Sequence, residues 1–233
     1  MANYDKVDPE CYDTMYYTIP REIYMREHWR PLIEKKIESY CAQKNVLELG
    51  CGTGIYTEMI NKYTNKVLGT DISGKMLIYT KNKKGLSNLI RIDAHKIPLR
   101  TRSFDVIITM GLFEYIQRDV VITEMKRILK QNGICILSVP NKYSACRIFG
   151  KLSKIFGKKP NQDDPSKIEM LKLFSESGFE LIEYKIDDGL IWLPDTLDRL
   201  IGKRLYNLIE TVFKIFGENP FSNVMLFVIR KNE

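Results

Sequence analysis

The sequence predicts an α/β fold: a doubly wound, mostly parallel sheet with helices on both faces. Short, continuously apolar segments recur at 45–49, 66–70, 88–92, 104–109 and 133–139. Helical patterns lie between them, at about 53–63, 73–82 and 118–130. A glycine-rich turn, GCGTG at 50–54, joins the first strand to the first of these helices. Strands that are apolar from end to end belong to parallel sheets buried on both faces, and alternation with helices supplies the covering layers.

The elements follow in order. Residues 1–44 read as an N-terminal helical cap, helical around 22–40. Within 118–130, Val121, Ile122, Met125, Ile128 and Leu129 form one apolar face, and Gly133 serves as the stop. Beyond Pro140 the rhythm changes. Residues 144–157 and 196–216 are amphipathic helical segments ending in KIFGKKP and KIFGENP, the same glycine-then-proline helix stop used twice. Between them lie a helix pattern at 167–177 and a strand at 178–186, and 223–231 is a final strand. The 187–221 insertion is expected to be a second helical cap. No low-complexity linker divides the chain, so 1–233 is expected to be one domain with a 45–140 core and a 141–233 C-terminal half.

Composition narrows the classes. Hydrophobic residues make up 44% and charged residues 28%, as in ordinary globular proteins. No run approaches the 18 or so apolar residues of a membrane span. The first residues lack a basic-then-apolar signal, so a cytoplasmic protein is expected. The five cysteines, Cys11, Cys41, Cys51, Cys135 and Cys146, form no C-x-x-C pair, which argues against both structural zinc and a disulfide framework. No metal is expected, and Cys51 and Cys135 read as small core residues.

The net charge of +7 is uneven. From 62 to 102, ten basic residues face only Asp71 and Asp93, and 142–159 carries six with no acid. A lysine-rich solvated surface is the simpler reading; RNA, anionic lipid or a phosphorylated small molecule are the alternatives.

The glycine turn selects a ligand class. A phosphate-binding Walker loop requires a lysine followed by serine or threonine, and none follows these glycines. The dinucleotide fingerprint places its third glycine at 55, where Ile55 stands; here the glycines are Gly50, Gly52 and Gly54. Glu48 precedes the loop near the carboxyl end of the first strand, where ligands dock in open α/β sheets. A carboxylate there disfavours a pyrophosphate and suits an amine or sulfonium. Alternatively it caps nearby backbone amides. Asp71 ends the second strand, 21 residues after Gly50, placed to accept both hydroxyls of an adenosine ribose. Asp93 ends the third, able to accept from an adenine amino group.

With those residues in view, the sequence resembles the class I S-adenosylmethionine (SAM)-dependent methyltransferases of small-molecule type. VLELGCGTG at 46–54 matches their first motif and GTDISGKML at 69–77 their second. IRIDAHKIPL resembles the third, FDVIITMGLFEYI the fourth, and LKQNGICILSVPN the segment around the fifth strand. The resemblance implies a Rossmann-like sheet of seven strands, the last antiparallel. It implies SAM as cofactor and S-adenosylhomocysteine (SAH) as product. The implied cofactor residues are Glu48, Gly50, Gly52, Gly54, Asp71, Ile72, Met76, Asp93, Ala94 and Met110, with Ile72 and Met76 bracketing the adenine.

The acceptor is less legible. The family's reaction is in-line displacement at the sulfonium methyl by an O, N, C or S nucleophile, and a base is needed only if the acceptor keeps its proton. Many small-molecule relatives carry a histidine after the fourth strand; here Glu114-Tyr115 stands there, leaving both as catalytic candidates and histidine-type base catalysis in doubt. Tyrosine, with a reference pKa near 10, is a poor base. His95 falls beside the adenine site and His28 on the N-terminal helix. Tyr12, Tyr16 and Tyr17 can wall an acceptor or fasten the cap to the sheet. A small organic acceptor is expected; the alternatives are an RNA (tRNA) methyltransferase or a non-catalytic SAM-binding subunit. The 144–159 and 196–216 faces fit packing as a cap better than peripheral membrane contact, and the sequence does not specify an oligomeric state.

Overall fold

The computed structural model describes residues 7–18, 20–144, 164–186 and 224–232. The expected helices at 144–157 and 196–216, and the cap at 187–221, lie outside the described residues. The strands are β1 (Val46–Leu49), β2 (Val67–Asp71), β3 (Leu89–Arg91), β4 (Phe104–Met110), β5 (Leu129–Pro140), β6 (Phe179–Ile186) and β7 (Val224–Lys231). They form one seven-stranded sheet in the order β3-β2-β1-β4-β5-β7-β6. β3 through β5 are mutually parallel, and β7 runs antiparallel to both of its neighbours. The order reverses between β1 and β4, and crevices open outside the carboxyl ends of strands at such a switch point.

Six helices are described: α1 (Pro9–Thr18), α2 (Pro20–Cys41), α3 (Ile55–Asn61), α4 (Gly74–Lys84), α5 (Arg118–Ile128) and α6 (Lys167–Glu176). Strand alternation divides the core into two layers. One layer joins Leu47, Leu49, Ile107, Leu137 and Phe227 to Val121, Ile122 and Met125 of α5 and to Met170 and Phe174 of α6. The other joins Val46, Val106, Ile108, Ile136 and Val228 to α2 and α3.

Within the N-terminal cap the helical part extends beyond the expected 22–40 and divides into α1 and α2. Pro31 lies inside α2 without ending it. Trp29, Ile33, Ile37 and Cys41, at intervals of four, are all buried against the sheet. A fully buried large apolar side chain contributes roughly 1.5–3 kcal/mol, so this row outweighs the roughly 3 kcal/mol cost of an interior proline.

The end of α5 also differs. The helix stops at Ile128, Leu129 is already extended, and β5 starts there. Gly133 is therefore not its stop. A side chain at Gly133 would crowd Leu129 and the Lys130 and Asp105 carbonyls, so its role is close packing within the strand. Lys231 of β7 closes α5 instead, donating from its ammonium to the Lys126 and Leu129 carbonyls at 2.8 and 2.9 Å.

The β3–β4 connection, residues 92–103, contains no helix, and α5 holds it in place. Arg127 donates to the carbonyls of Ile97 (2.7 Å) and Leu99 (2.8 Å) and pairs through two nitrogens with Glu124. Glu124 in turn accepts from the Ile97 amide at 2.9 Å. This pairing holds the Glu124 carboxyl below its ordinary range. Arg127→Ala is expected to lower unfolding free energy by about 1–3 kcal/mol, because it strands two carbonyls and a carboxylate. Arg127→Lys should rescue little, since a point charge cannot span the fork. Urea denaturation checks both; an unchanged midpoint for Arg127→Ala would contradict the clamp.

The lopsided charge of the sequence is partly offset in space. Lys62 pairs with Glu34 of α2, Lys83 with Glu10 of α1, and Lys84 lies between Asp13 of α1 and Glu58 of α3.

Candidate cofactor site

At the carboxyl ends of β1 and β2 the backbone is tied tightly. The Cys51 amide donates to the Thr70 carbonyl (2.8 Å), and the Gly54 amide to the Cys51 carbonyl (2.9 Å). The Thr80 hydroxyl of α4 donates to the Gly52 carbonyl at 2.9 Å, so α4 helps hold the loop. Gly50, Gly52 and Gly54 all have positive φ, and the glycines at 52 and 54 answer to different demands. A Cβ at Gly54 would overlap the Thr80 methyl and press on Leu86, so that position is closed by packing. A Cβ at Gly52 would meet nothing within 4 Å, so there the bare backbone faces open space. A backbone bared to open space at this position fits close approach of a ligand.

Asp71 fixes the loop from the neighbouring strand. One carboxylate oxygen accepts the Gly52 amide and the other the Ser73 amide, each at 2.8 Å. Each carboxylate oxygen has two lone pairs and can accept more than one hydrogen bond. Asp71 does not cap α4; Ser73 does, accepting from the Met76 amide. Ile72 is half-buried and Met76 buried just beyond.

Glu48 departs from expectation. Strand alternation puts it on the same face as Val46, beneath α3, and it is buried. The Thr57 hydroxyl of α3 donates to it. Burial pushes its carboxyl up to about 8, and the nearby Asp71 charge adds to that. At neutral pH the group is therefore mostly protonated and does not carry the charge that would repel a pyrophosphate. The missing lysine still excludes a Walker loop, and Ile55 still stands where a dinucleotide fingerprint has its third glycine.

This makes a pH prediction. The folded carboxyl keeps its proton up to about 8, whereas its unfolded reference is 4.5. A raised carboxyl stabilises the fold fully below the unfolded value and loses that contribution as pH climbs toward the folded one. Glu48→Gln removes the loss. Its unfolding free energy relative to wild type is expected to rise between pH 5 and pH 8, by an amount on the order of 1 kcal/mol or more. A difference that stays flat across that range would contradict the burial.

Asp93 follows β3. It accepts from the His95 amide (2.9 Å) and faces the His95 Nδ1 (2.7 Å), contacts that hold its carboxyl below the usual range. Ala94 is half-buried against the α5-side core. Met110 ends β4 and packs toward the α2-side core. The loop after β4 starts at Gly111 and meets the first loop, since a Cβ on Gly50 would lie 3.3 Å from the Leu112 side chain. Glu114 is half-buried there, with an oxygen 3.6 Å from the Cβ position of Gly111, while Tyr115 is half-exposed.

The structure thus gathers Glu48, the three glycines, Asp71, Ile72, Met76 and Asp93 at one end of the sheet. Residues 47–137, the stretch containing this constellation, match the family described as "Methyltransferase domain". Over this stretch the chain is similar to the methyltransferase domain of SAM-dependent enzymes. It is 33% identical over 141 residues to an uncharacterised protein of Methanocaldococcus jannaschii, a match covering 60% of this chain and 51% of that one. The chain therefore spans about half the length of that relative. It is 27% identical over 188 residues to the ubiquinone/menaquinone biosynthesis C-methyltransferase UbiE of Campylobacter jejuni, covering 67% of this chain and 80% of UbiE. Its fold matches a SAM-dependent methyltransferase of Mesorhizobium loti with a TM-score of 0.63 at 16% identity, over 85% of this chain and 96% of the other.

Two of the expected acceptor-wall tyrosines, Tyr12 and Tyr17, are half-exposed on α1, and Tyr16 lies on the same helix. α1 itself packs on α4, where the Tyr79 hydroxyl reaches Asp13 at 3.3 Å. His95 makes a bridge that the sequence does not reveal. Its Nε2 accepts from the Gln117 amide at 3.1 Å, joining two loops 22 residues apart in the chain.

Proposed function

We propose that the protein is a cytoplasmic SAM-dependent methyltransferase acting on an O, N or C nucleophile of a small organic acceptor. The observation that carries the reading is Asp71 locked by the Gly52 and Ser73 amides beside the bare, open backbone of Gly52. In this reading Asp71 takes the ribose hydroxyls and Gly52 lets the cofactor approach the loop. Ile72 and Met76 flank the adenine, and Asp93 with Ala94 reads its edge. Bound SAM supplies an already activated methyl. The chain's own task is alignment and exclusion of water. In this reading Glu114, half-buried at the β4 loop, serves the acceptor side, with Tyr115 at the rim and Tyr12 and Tyr17 as an outer wall.

UbiE is named a C-methyltransferase, which supports including carbon among the nucleophiles. The RNA alternative loses support because Lys62, Lys83 and Lys84 of the basic stretch have acidic partners on α1, α2 and α3. The test is incubation of the full chain with methyl-labelled SAM and a metabolite extract, with bulk tRNA in parallel. A labelled small molecule is expected. Label on tRNA alone, or on nothing, would overturn the acceptor class or the activity respectively.

A further inference from the structure

The bridge made by His95 has a consequence beyond cofactor binding. Asp93 keeps its proton off, so it can only accept, and the His95 Nδ1 must donate to it. The Gln117 amide can only donate, so the His95 Nε2 must be the bare, accepting nitrogen. The hydrogen-bond partners therefore assign the Nδ1–H tautomer of a neutral ring.

Gln117 is the N-cap of α5, and its side chain makes no capping bond. In α6 the same task is done locally: Glu169, three residues after the cap Ser166, reaches back to the cap amide. In α5 the residue three after the cap is Val120, which cannot. An imidazole from the β3–β4 connection takes that place, making the start of α5 depend on the residue that follows Asp93 by two. The loop between β4 and this cap, residues 111–117, carries Glu114 and Tyr115.

We propose that His95 is a positioning residue that couples the adenine edge of the cofactor site to the acceptor-side loop 111–117. The inference rests on the methyltransferase reading of the site. A ligand donor drawn onto Asp93 fixes the turn that holds the imidazole, and the imidazole fixes the Gln117 amide. By linkage the dependence runs both ways: an ordered 111–117 loop favours the cofactor-competent Asp93. The far end of the connection is held independently by Glu124 and Arg127, so losing the ring leaves the segment attached and the chain folded.

The experiment is hydrogen exchange of the segment spanning Gln117, with and without saturating SAH, in wild type, His95→Ala, His95→Asn and His95→Gln. Calorimetry establishes SAH binding in each. In wild type, SAH is expected to slow Gln117 exchange at least about threefold. His95→Ala and His95→Asn should still bind SAH at saturation yet lose that slowing. His95→Gln, whose amide oxygen can take the place of Nε2, should restore most of it. Equal slowing in wild type and His95→Ala, or no rescue by Gln, overturns the coupling. Failure of wild type to bind SAH at all overturns the parent reading and this inference together.

Discussion

Asp71→Ala is expected to weaken SAH binding by at least about 100-fold while leaving the chain folded. Two losses combine. The Gly52 and Ser73 amides lose the acceptor that fixes the loop, and the ribose loses its carboxylate. Hydrogen bonds to a charged acceptor contribute roughly 1.5–3 kcal/mol each. Two at the low end already correspond to about a hundredfold in affinity. The fold survives because the neighbouring tie, Cys51 amide to Thr70 carbonyl, is backbone to backbone and untouched. Asp71→Asn, with one accepting oxygen for two amides, should fall between alanine and wild type. Calorimetric titration checks the series; an affinity for Asp71→Ala within threefold of wild type would remove Asp71 from the site.

The second large effect separates two glycines that look alike in the sequence. Gly54→Ala is expected to destabilise the protein by about 2–5 kcal/mol. Left-handed backbone costs a non-glycine residue roughly 1–2 kcal/mol, and overpacking a filled site adds about 1–3 kcal/mol. Thr80 cannot swing aside cheaply, because its buried hydroxyl is committed to the Gly52 carbonyl. Gly52→Ala carries only the backbone cost, about 1–2 kcal/mol, since its Cβ enters open space. Its larger consequence is on the ligand: SAH affinity should fall by about tenfold or more, because the methyl occupies the approach to the loop. Urea midpoints and calorimetry together read the contrast. A Gly52→Ala protein less stable than Gly54→Ala, or one with full affinity, would contradict the division of roles.

Strand alternation with helices, together with the glycine turn, is a local signal, so β1, β2 and β4 and the helices after the first two fall where the pattern puts them. The antiparallel finish of β7 followed from family resemblance and is what the sheet shows. Tertiary contacts, which local sequence does not show, decide the N-terminal boundary and the α5 terminus: a buried row overrides Pro31, and Lys231, 105 residues from the Lys126 carbonyl it meets, closes α5.

At the candidate site, the places of the glycines and Asp71 in the fold are legible because they lie on one short loop and one strand end. Glu48 was half legible. It lies on β1 as the sequence indicates, yet its alternation with Leu47 and Leu49 puts it on the face beneath α3, where burial sets its charge. His95 was not legible as a bridge, because nothing local ties it to Gln117. The one available signal was that α5 begins without a residue able to complete its own cap.

The most direct test of the account is a crystal structure of the full chain with SAH. The account predicts both ribose hydroxyls on the Asp71 carboxylate, the nucleoside lying along Gly52, and the adenine between Ile72 and Met76 with its amino group toward Asp93. A nucleoside bound elsewhere, or one in this crevice with its ribose away from Asp71, would contradict it.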